Sequence, residues 1–327
     1  MTITEAPVTR APGRAVSGWL FAAAPATRLA ALRVLIGGYC VARLLSTAPA
    51  LLDLAGLPDR QFAPVGILSP LGSPPSGAVV AVALAGTVAA GVAFVLGWRW
   101  RLMGPLFAVA FFVLSTYRVS WGHVSHADHL PALHLLLCGL VPAADAWSLD
   151  ARRRRAPQPS PSGRYGWPIR VLGLLTVVTY VLAGLAKLRY GGWGWLGGDV
   201  LRNQIAADSL QKSLLGATYS PLVGWVTSHG WILAPAAVVA VVIELAAPVA
   251  FVHGRPRDVW VASAWLLHVA IAAVMAISFP YPLCGVAFAP FYDLEKGVAV
   301  VGGWARRRGR RRRRRSGRDR RDTPAPV

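Results

Sequence analysis

The run Val171-Leu172-Gly173-Leu174-Leu175-Thr176-Val177-Val178-Thr179-Tyr180-Val181-Leu182-Ala183-Gly184-Leu185-Ala186-Lys187-Leu188 carries one formal charge, Lys187, next to its end. A stretch of roughly 18 or more apolar residues with few or no charges reads as a helix crossing a bilayer. In hydrocarbon a backbone must satisfy its own hydrogen bonds, so such a run commits the chain to helix. The glycine and aromatic segment Tyr190-Gly191-Gly192-Trp193-Gly194-Trp195 follows and reads as a turn at the interface. Two readings of Lys187 stand side by side. It snorkels to the membrane surface among its tryptophans, or it is an intramembrane charge held for function.

The rest of the chain agrees with a membrane setting. Its 327 residues are 55% hydrophobic and 15% charged, and the mean hydropathy is +0.48, which excludes an ordinary soluble domain. Much of the net charge of +20 comes from two arginine blocks, Arg152 to Arg155 and Arg306 to Arg321. Such blocks are solvated segments that fix orientation and attract anionic lipid headgroups. With no aromatic interleaving or folded basic surface, no nucleic-acid partner is expected. Cys40, Cys138 and Cys284 all lie in apolar runs without paired spacing, so neither a disulfide framework nor a thiolate metal site is implied. The first 27 residues lack an apolar core followed by a cleavage site, and no signal peptide is expected.

In chain order, spans are expected at about 29–52, 77–97, 102–119, 130–144, 167–188, 231–252 and 259–277, with a last, weaker one ending near Trp304. The fold class is therefore an all-α polytopic transmembrane bundle of about eight spans. Residues 1–28 precede the transmembrane domain of 29–304, and 305–327 form an arginine-rich tail expected to be disordered. A cytoplasmic N-terminus puts Trp98 to Arg101, Arg152 to Arg155, Arg255 to Arg257 and the tail on the inner side, as the positive-inside rule requires. Both termini are then cytoplasmic, and Lys187 and His129 emerge on the outer side. The long segment from Arg189 to Ser228 is expected to hold an amphipathic surface helix.

Few residues are equipped for chemistry. Lys187 acts as a base if a dry pocket lowers its pKa. His129 and His268 are further candidates, although a histidine in mid-span is most often a hydrogen-bonded packing residue. Glu244 in mid-span must be protonated or paired, with Arg33, Arg43 or Lys187. His123, His126 and His129 recur at three-residue spacing, which can bring imidazoles to one helix face, but Gly122 favours a loop and a fourth ligand is missing. No metal is expected.

Several short elements recur in a fixed order: Arg33-Val34-Leu35-Ile36-Gly37, Leu96-Gly97-Trp98-Arg99-Trp100-Arg101, Ser120-Trp121, Asp128-His129, Trp147-Ser148-Leu149-Asp150, Tyr180 to Leu188, and His268. In order and spacing, from about Arg33 to Pro290, they resemble the HTTM family, the membrane domain of vitamin K-dependent γ-glutamyl carboxylase and its bacterial relatives. The resemblance implies that Lys187 is the base that deprotonates reduced vitamin K or menaquinol, whose reaction with oxygen yields a strong base. It implies His129 and His268 as catalytic partners, with His126 competing for the His129 register, since Asp128 stands where the family often has Asn. Arg33, Trp121, Tyr180, Trp193 and Glu244 are the expected substrate-binding residues. The carboxylase continues into a lumenal domain that has no counterpart before the basic tail, so propeptide-directed carboxylation is not inferred. Two functions follow for a protein of the bacterial plasma membrane. One is an oxygen-dependent, quinol-coupled modification of a peptide or small molecule. The other is a non-enzymatic scaffold for maturation of a secreted peptide. Transport ranks last, for want of an internal repeat.

Overall fold

In the computed structural model, which describes residues 12–122, 125–155 and 157–297, the apolar runs are helices, and no strand forms among the described residues. The helices are α1 (Pro12–Leu20), α2 (Ala26–Leu54), α3 (Gly77–Leu96), α4 (Trp100–Val119), α5 (His129–Leu140), α6 (Leu149–Arg154), α7 (Gly163–Leu196), α8 (Asp199–Leu214), α9 (Val223–Ser228), α10 (Leu233–Leu245), α11 (Arg255–Met275) and α12 (Pro280–Leu283). Five of them, α2, α3, α4, α7 and α11, are long and apolar enough to cross a membrane. This is the all-α polytopic bundle expected.

The fourth and sixth expected spans are helices of only 12 and 13 residues. Proline sets both limits. α5 ends before Pro142, and α10 gives way at Pro248 to a 3-10 segment, Ala247–Phe251. The last expected span is not continuous helix: from Pro280 to Phe291 it is the short α12 and 3-10 turns, broken by Pro282, Gly285 and Pro290. Residues 298–304 and the tail 305–327 lie outside the described residues, as do residues 1–11. A separate compact unit begins at Tyr292. Its described part is a short helical turn in which Lys296 pairs with Asp293 at 2.5 Å.

Helix α2 packs on α3, α3 on α4, α4 on α5, and α7 on α10. Close approach depends on glycine at two crossings. A Cβ on Gly104 would stand 2.6 Å from the carbonyl oxygen of Gly139, so α4 and α5 touch backbone to backbone. A Cβ on Gly184 would meet Glu244 Cβ at 3.1 Å and Leu245 Cδ2 at 3.0 Å, which brings α7 against α10.

Several polar groups inside the bundle are held by multiple partners. Arg33 is fully buried and donates to the carbonyls of Ala143 (2.9 Å), Ala146 (3.4 Å), Val95 (3.3 Å) and Trp147 (2.7 Å). His134, also fully buried, is held between the Tyr281 hydroxyl at 2.7 Å and the Leu172 carbonyl at 3.0 Å. Asp128 takes Arg43 Nε at 2.9 Å and pairs through its other oxygen with Arg118.

These contacts define two ends. At one, Asp150 N donates to Gly97 O, Asp145 joins Arg154 to Arg164 and Tyr165, Ala24 bridges Ser162, and Trp19 packs on Phe251. This end gathers Trp98 to Arg101, Arg152 to Arg155 and Arg255 to Arg257. At the other, Ala63 N donates to Ser120 O, His126 packs on Phe279, and Lys212 donates to Met275 O. The described basic clusters thus share one end, and Lys187 lies at the other.

Candidate functional site

Helix α7 presents Thr179, Tyr180, Ala183 and Lys187 at spacings of three and four, which places them on one face. That face borders a cavity of about 190 Å³. The opposite walls come from His126, the start of α5 with His129, Glu244 at the end of α10, His268 on α11, and Phe279 and Tyr281. The three residues expected to be catalytic, Lys187, His129 and His268, therefore line a single cavity, together with Tyr180 and Glu244.

Lys187 Nζ lies 2.5 Å from Glu244 Oε1. Of the three partners open to Glu244 in the sequence, the fold selects Lys187, because Gly184 lets α10 come within reach one turn earlier on α7. The indole of Trp195 covers the ammonium, with Nζ 5.3 Å from the ring centre. The lysine is thus neither a snorkelling residue nor a bare charge. Glu244 Oε2 is buried without a hydrogen-bond partner among the described residues.

The Tyr180 hydroxyl and His268 Nε2 share a hydrogen bond of 2.8 Å, and Trp260 packs edge-on against Tyr180 at 5.3 Å. His268 Nδ1 is buried and unpartnered among the described residues. Phe279 stands between two imidazoles, at 5.1 Å from His126 and 5.3 Å from His268. His126, in the loop before α5, has its pKa lowered from the ordinary imidazole value, first by burial and then by the nearby His129 and Lys187. Both histidines that compete for the family position thus reach the cavity.

Three of the expected substrate-binding residues stand elsewhere. Arg33 lies two turns into α2, whose start sits beside the start of α7. Lys187 is 24 residues beyond Gly163, about 36 Å along a helix at 1.5 Å per residue. Arg33 is spent on backbone carbonyls at that distant end. Trp121 packs on Phe62 at 5.2 Å and on Tyr117 at 5.8 Å. Trp193 is 87% exposed, because Gly192 takes φ 51° and ψ −135° and turns the end of α7 outward. That kink also returns Trp195 to Lys187, a contact missed in the sequence. No sequence spacing signalled it, because the two residues lie on opposite sides of the break at Gly192. Among the described residues no three His, Cys, Asp or Glu side chains gather to hold a metal, and His123 lies outside them.

The family described as HTTM domain matches residues 21–294. No curated protein and no solved structure matches the chain.

Proposed function

The chain belongs to the HTTM-domain family, a membrane domain related to that of vitamin K-dependent carboxylase, and we propose that its cavity receives the head of a reduced quinone, with Lys187 as the base. The observation that carries this reading is the 2.5 Å Lys187–Glu244 pair in the wall of the same cavity as His129, His268 and Tyr180. The fit is chemical as well as spatial. Small-molecule pockets run from about 300 Å³ upward, so about 190 Å³ suits a ring and leaves a prenyl tail to the bilayer. The unpartnered Glu244 Oε2 can accept from a quinol hydroxyl, and His268 Nδ1 donates to a ring oxygen when Nε2 takes the Tyr180 hydroxyl proton.

A bound quinol, such as menaquinol, supplies an ionisable hydroxyl and, with oxygen, the oxidation that drives the reaction. Lys187 receives a proton only when neutral. Transfer of its own proton to Glu244 Oε1 provides that form without moving net charge out of the site. His268, steadied by Tyr180, orients one ring oxygen, and His129 or His126 the other. The apolar walls, Leu267, Ile271 and Phe279, exclude water. The product is an oxygen-dependent modification of a peptide or small molecule at the plasma membrane of a bacterium. Anionic lipid at the arginine tail and a secreted peptide are the proposed partners.

A second reading has its own observation: a lysine ion-paired at 2.5 Å and covered by tryptophan is also a structural clamp. In that case the protein is a membrane scaffold for an exported peptide. Purified protein given menaquinol and oxygen is expected to form the quinone epoxide, and Lys187→Ala to abolish it. No epoxide, or the same yield from the variant, leaves the scaffold.

A further inference from the structure

At the end of the bundle away from the cavity, segments 97–101 and 147–154 are welded together. Asp150 N donates to Gly97 O at 3.0 Å. In return, Arg99 N and Trp100 N donate to the two oxygens of Asp150 at 3.1 and 3.0 Å. Arg33 fastens both sides from beneath, through Val95 O and Trp147 O. A Cβ on Gly97 (φ 66°) would stand 2.3 Å from Ser148 Cβ, so the segments touch with no room for a side chain. Among the described residues four non-glycine residues have positive φ. Three of them, Arg99 (45°), Trp147 (47°) and Arg155 (51°), lie in or beside this weld. Such backbone persists only where its surroundings over-determine it, and it clusters at functional sites.

The weld frames a cleft of about 490 Å³, lined by Arg99, Trp100, Arg101, Leu102, Arg153 and Arg154 over Asp150. Its charges are unequally spent. Both Asp150 oxygens are committed to backbone N–H groups, and Arg154 reaches Asp145 at 3.3 Å. The Arg99 and Arg101 guanidiniums lie over the rings of Trp98 and Trp100 at 5.1 and 5.8 Å. Among the described residues neither they nor Arg153 pair with a carboxylate. Leu102, 58% exposed at the start of a span, gives the cleft an apolar lip.

We propose that this cleft binds the phosphodiester headgroup of an anionic phospholipid. Guanidiniums match phosphate oxygens in charge and in fork geometry. Tryptophan and the Leu102 lip set the cleft at the boundary where lipid phosphates lie. A free phosphate would make no use of that lip. The elements Leu96 to Arg101 and Trp147 to Asp150, which the cavity does not employ, thereby acquire a purpose: they hold arginines from two distant segments around one headgroup.

Native mass spectrometry of the full chain, released from mixed micelles of phosphatidylglycerol and phosphatidylcholine, tests the proposal. One phosphatidylglycerol is expected to stay bound under activation that strips phosphatidylcholine. The variant R99Q/R101Q/R153Q should weaken retention roughly a hundredfold, and R153Q alone, on an exposed helix that tolerates it, roughly fivefold. The variant R60Q, on an exposed turn at the opposite end of the bundle, should retain lipid as the unaltered protein does. Three results overturn the proposal: equal retention of both lipids, undiminished retention in R153Q, or an equal loss in R60Q. Displacement of the lipid by equimolar inorganic phosphate would make the occupant a soluble anion and overturn it equally.

Discussion

Lys187 on α7 and Glu244 on α10, 57 residues apart in the sequence, meet at 2.5 Å, and the lysine is 23% and the glutamate 8% exposed at the side chain. Breaking a buried pair by removing one member costs about 3–5 kcal/mol, because the other charge is stranded. Lys187→Met and Glu244→Gln should each lower the unfolding midpoint markedly. Their combination should cost less than the sum, by about 1–3 kcal/mol of coupling. A double-mutant cycle by thermal unfolding in detergent checks this, and additive losses would sink the pairing.

Asp128 satisfies two arginines, Arg43 at 2.9 Å and Arg118. A neutral amide there would leave two guanidiniums facing each other near the loop that carries His126. Asp128→Asn should therefore destabilise by about 2–3 kcal/mol, as expected for a hydrogen bond to charge left unmade. The matching change at Asp53, toward the end of α2, should cost under about 0.5 kcal/mol. Chemical denaturation of the two variants side by side decides it.

Gly184 tests the cavity without touching its chemistry. A side chain at this position collides with Glu244 and Leu245 at 3.0 to 3.1 Å. Gly184→Val should push α10 away and cost about 1–3 kcal/mol by overpacking. It should also impair quinol binding while Lys187 and Glu244 remain. Intact affinity in a folded Gly184→Val protein contradicts the proposed geometry.

Acid should weaken the fold partly through His126. Burial first, then His129 and Lys187, hold its pKa below the ordinary value. The folded chain thus keeps this imidazole neutral after the unfolded chain, near pH 6.5, has begun to take a proton. The stability concerned is full above about pH 6.5 and is lost as pH falls below it. His126→Gln should show a smaller fall in unfolding midpoint between about pH 7.5 and 5.5. An equal fall would exclude His126 as a source.

The bundle ends give a topology. Reporters fused at Asp199 and after Val327 should lie on opposite sides of the membrane. Agreement between them would refute the assignment of the basic end to the cytoplasm.

What could be read in advance follows from which forces are local. Seven of the expected runs were legible as helix because an apolar run leaves the backbone no other choice, and five of those helices are long enough to cross a membrane. That Glu244 had to be paired or protonated followed from the cost of charge in lipid. Partner choice was not legible, since it depends on helix contacts. Glu244 had three possible cations until Gly184 brought α10 onto α7. Arg33 was expected at a substrate from its place in the ordered motifs, yet it binds four carbonyls. Trp121 and Trp193 were placed by motif and by aromatic content, neither of which reports direction.

The His134 network has a consequence for whatever enters the cavity. The Leu172 carbonyl only accepts, so Nε2 of the neutral imidazole carries the hydrogen, and Nδ1 receives the Tyr281 hydroxyl proton. That proton is committed inward. Tyr281 is fully buried beside the cavity and its hydroxyl hydrogen is unavailable to a guest, so donation is left to the lysine and the histidines across from it.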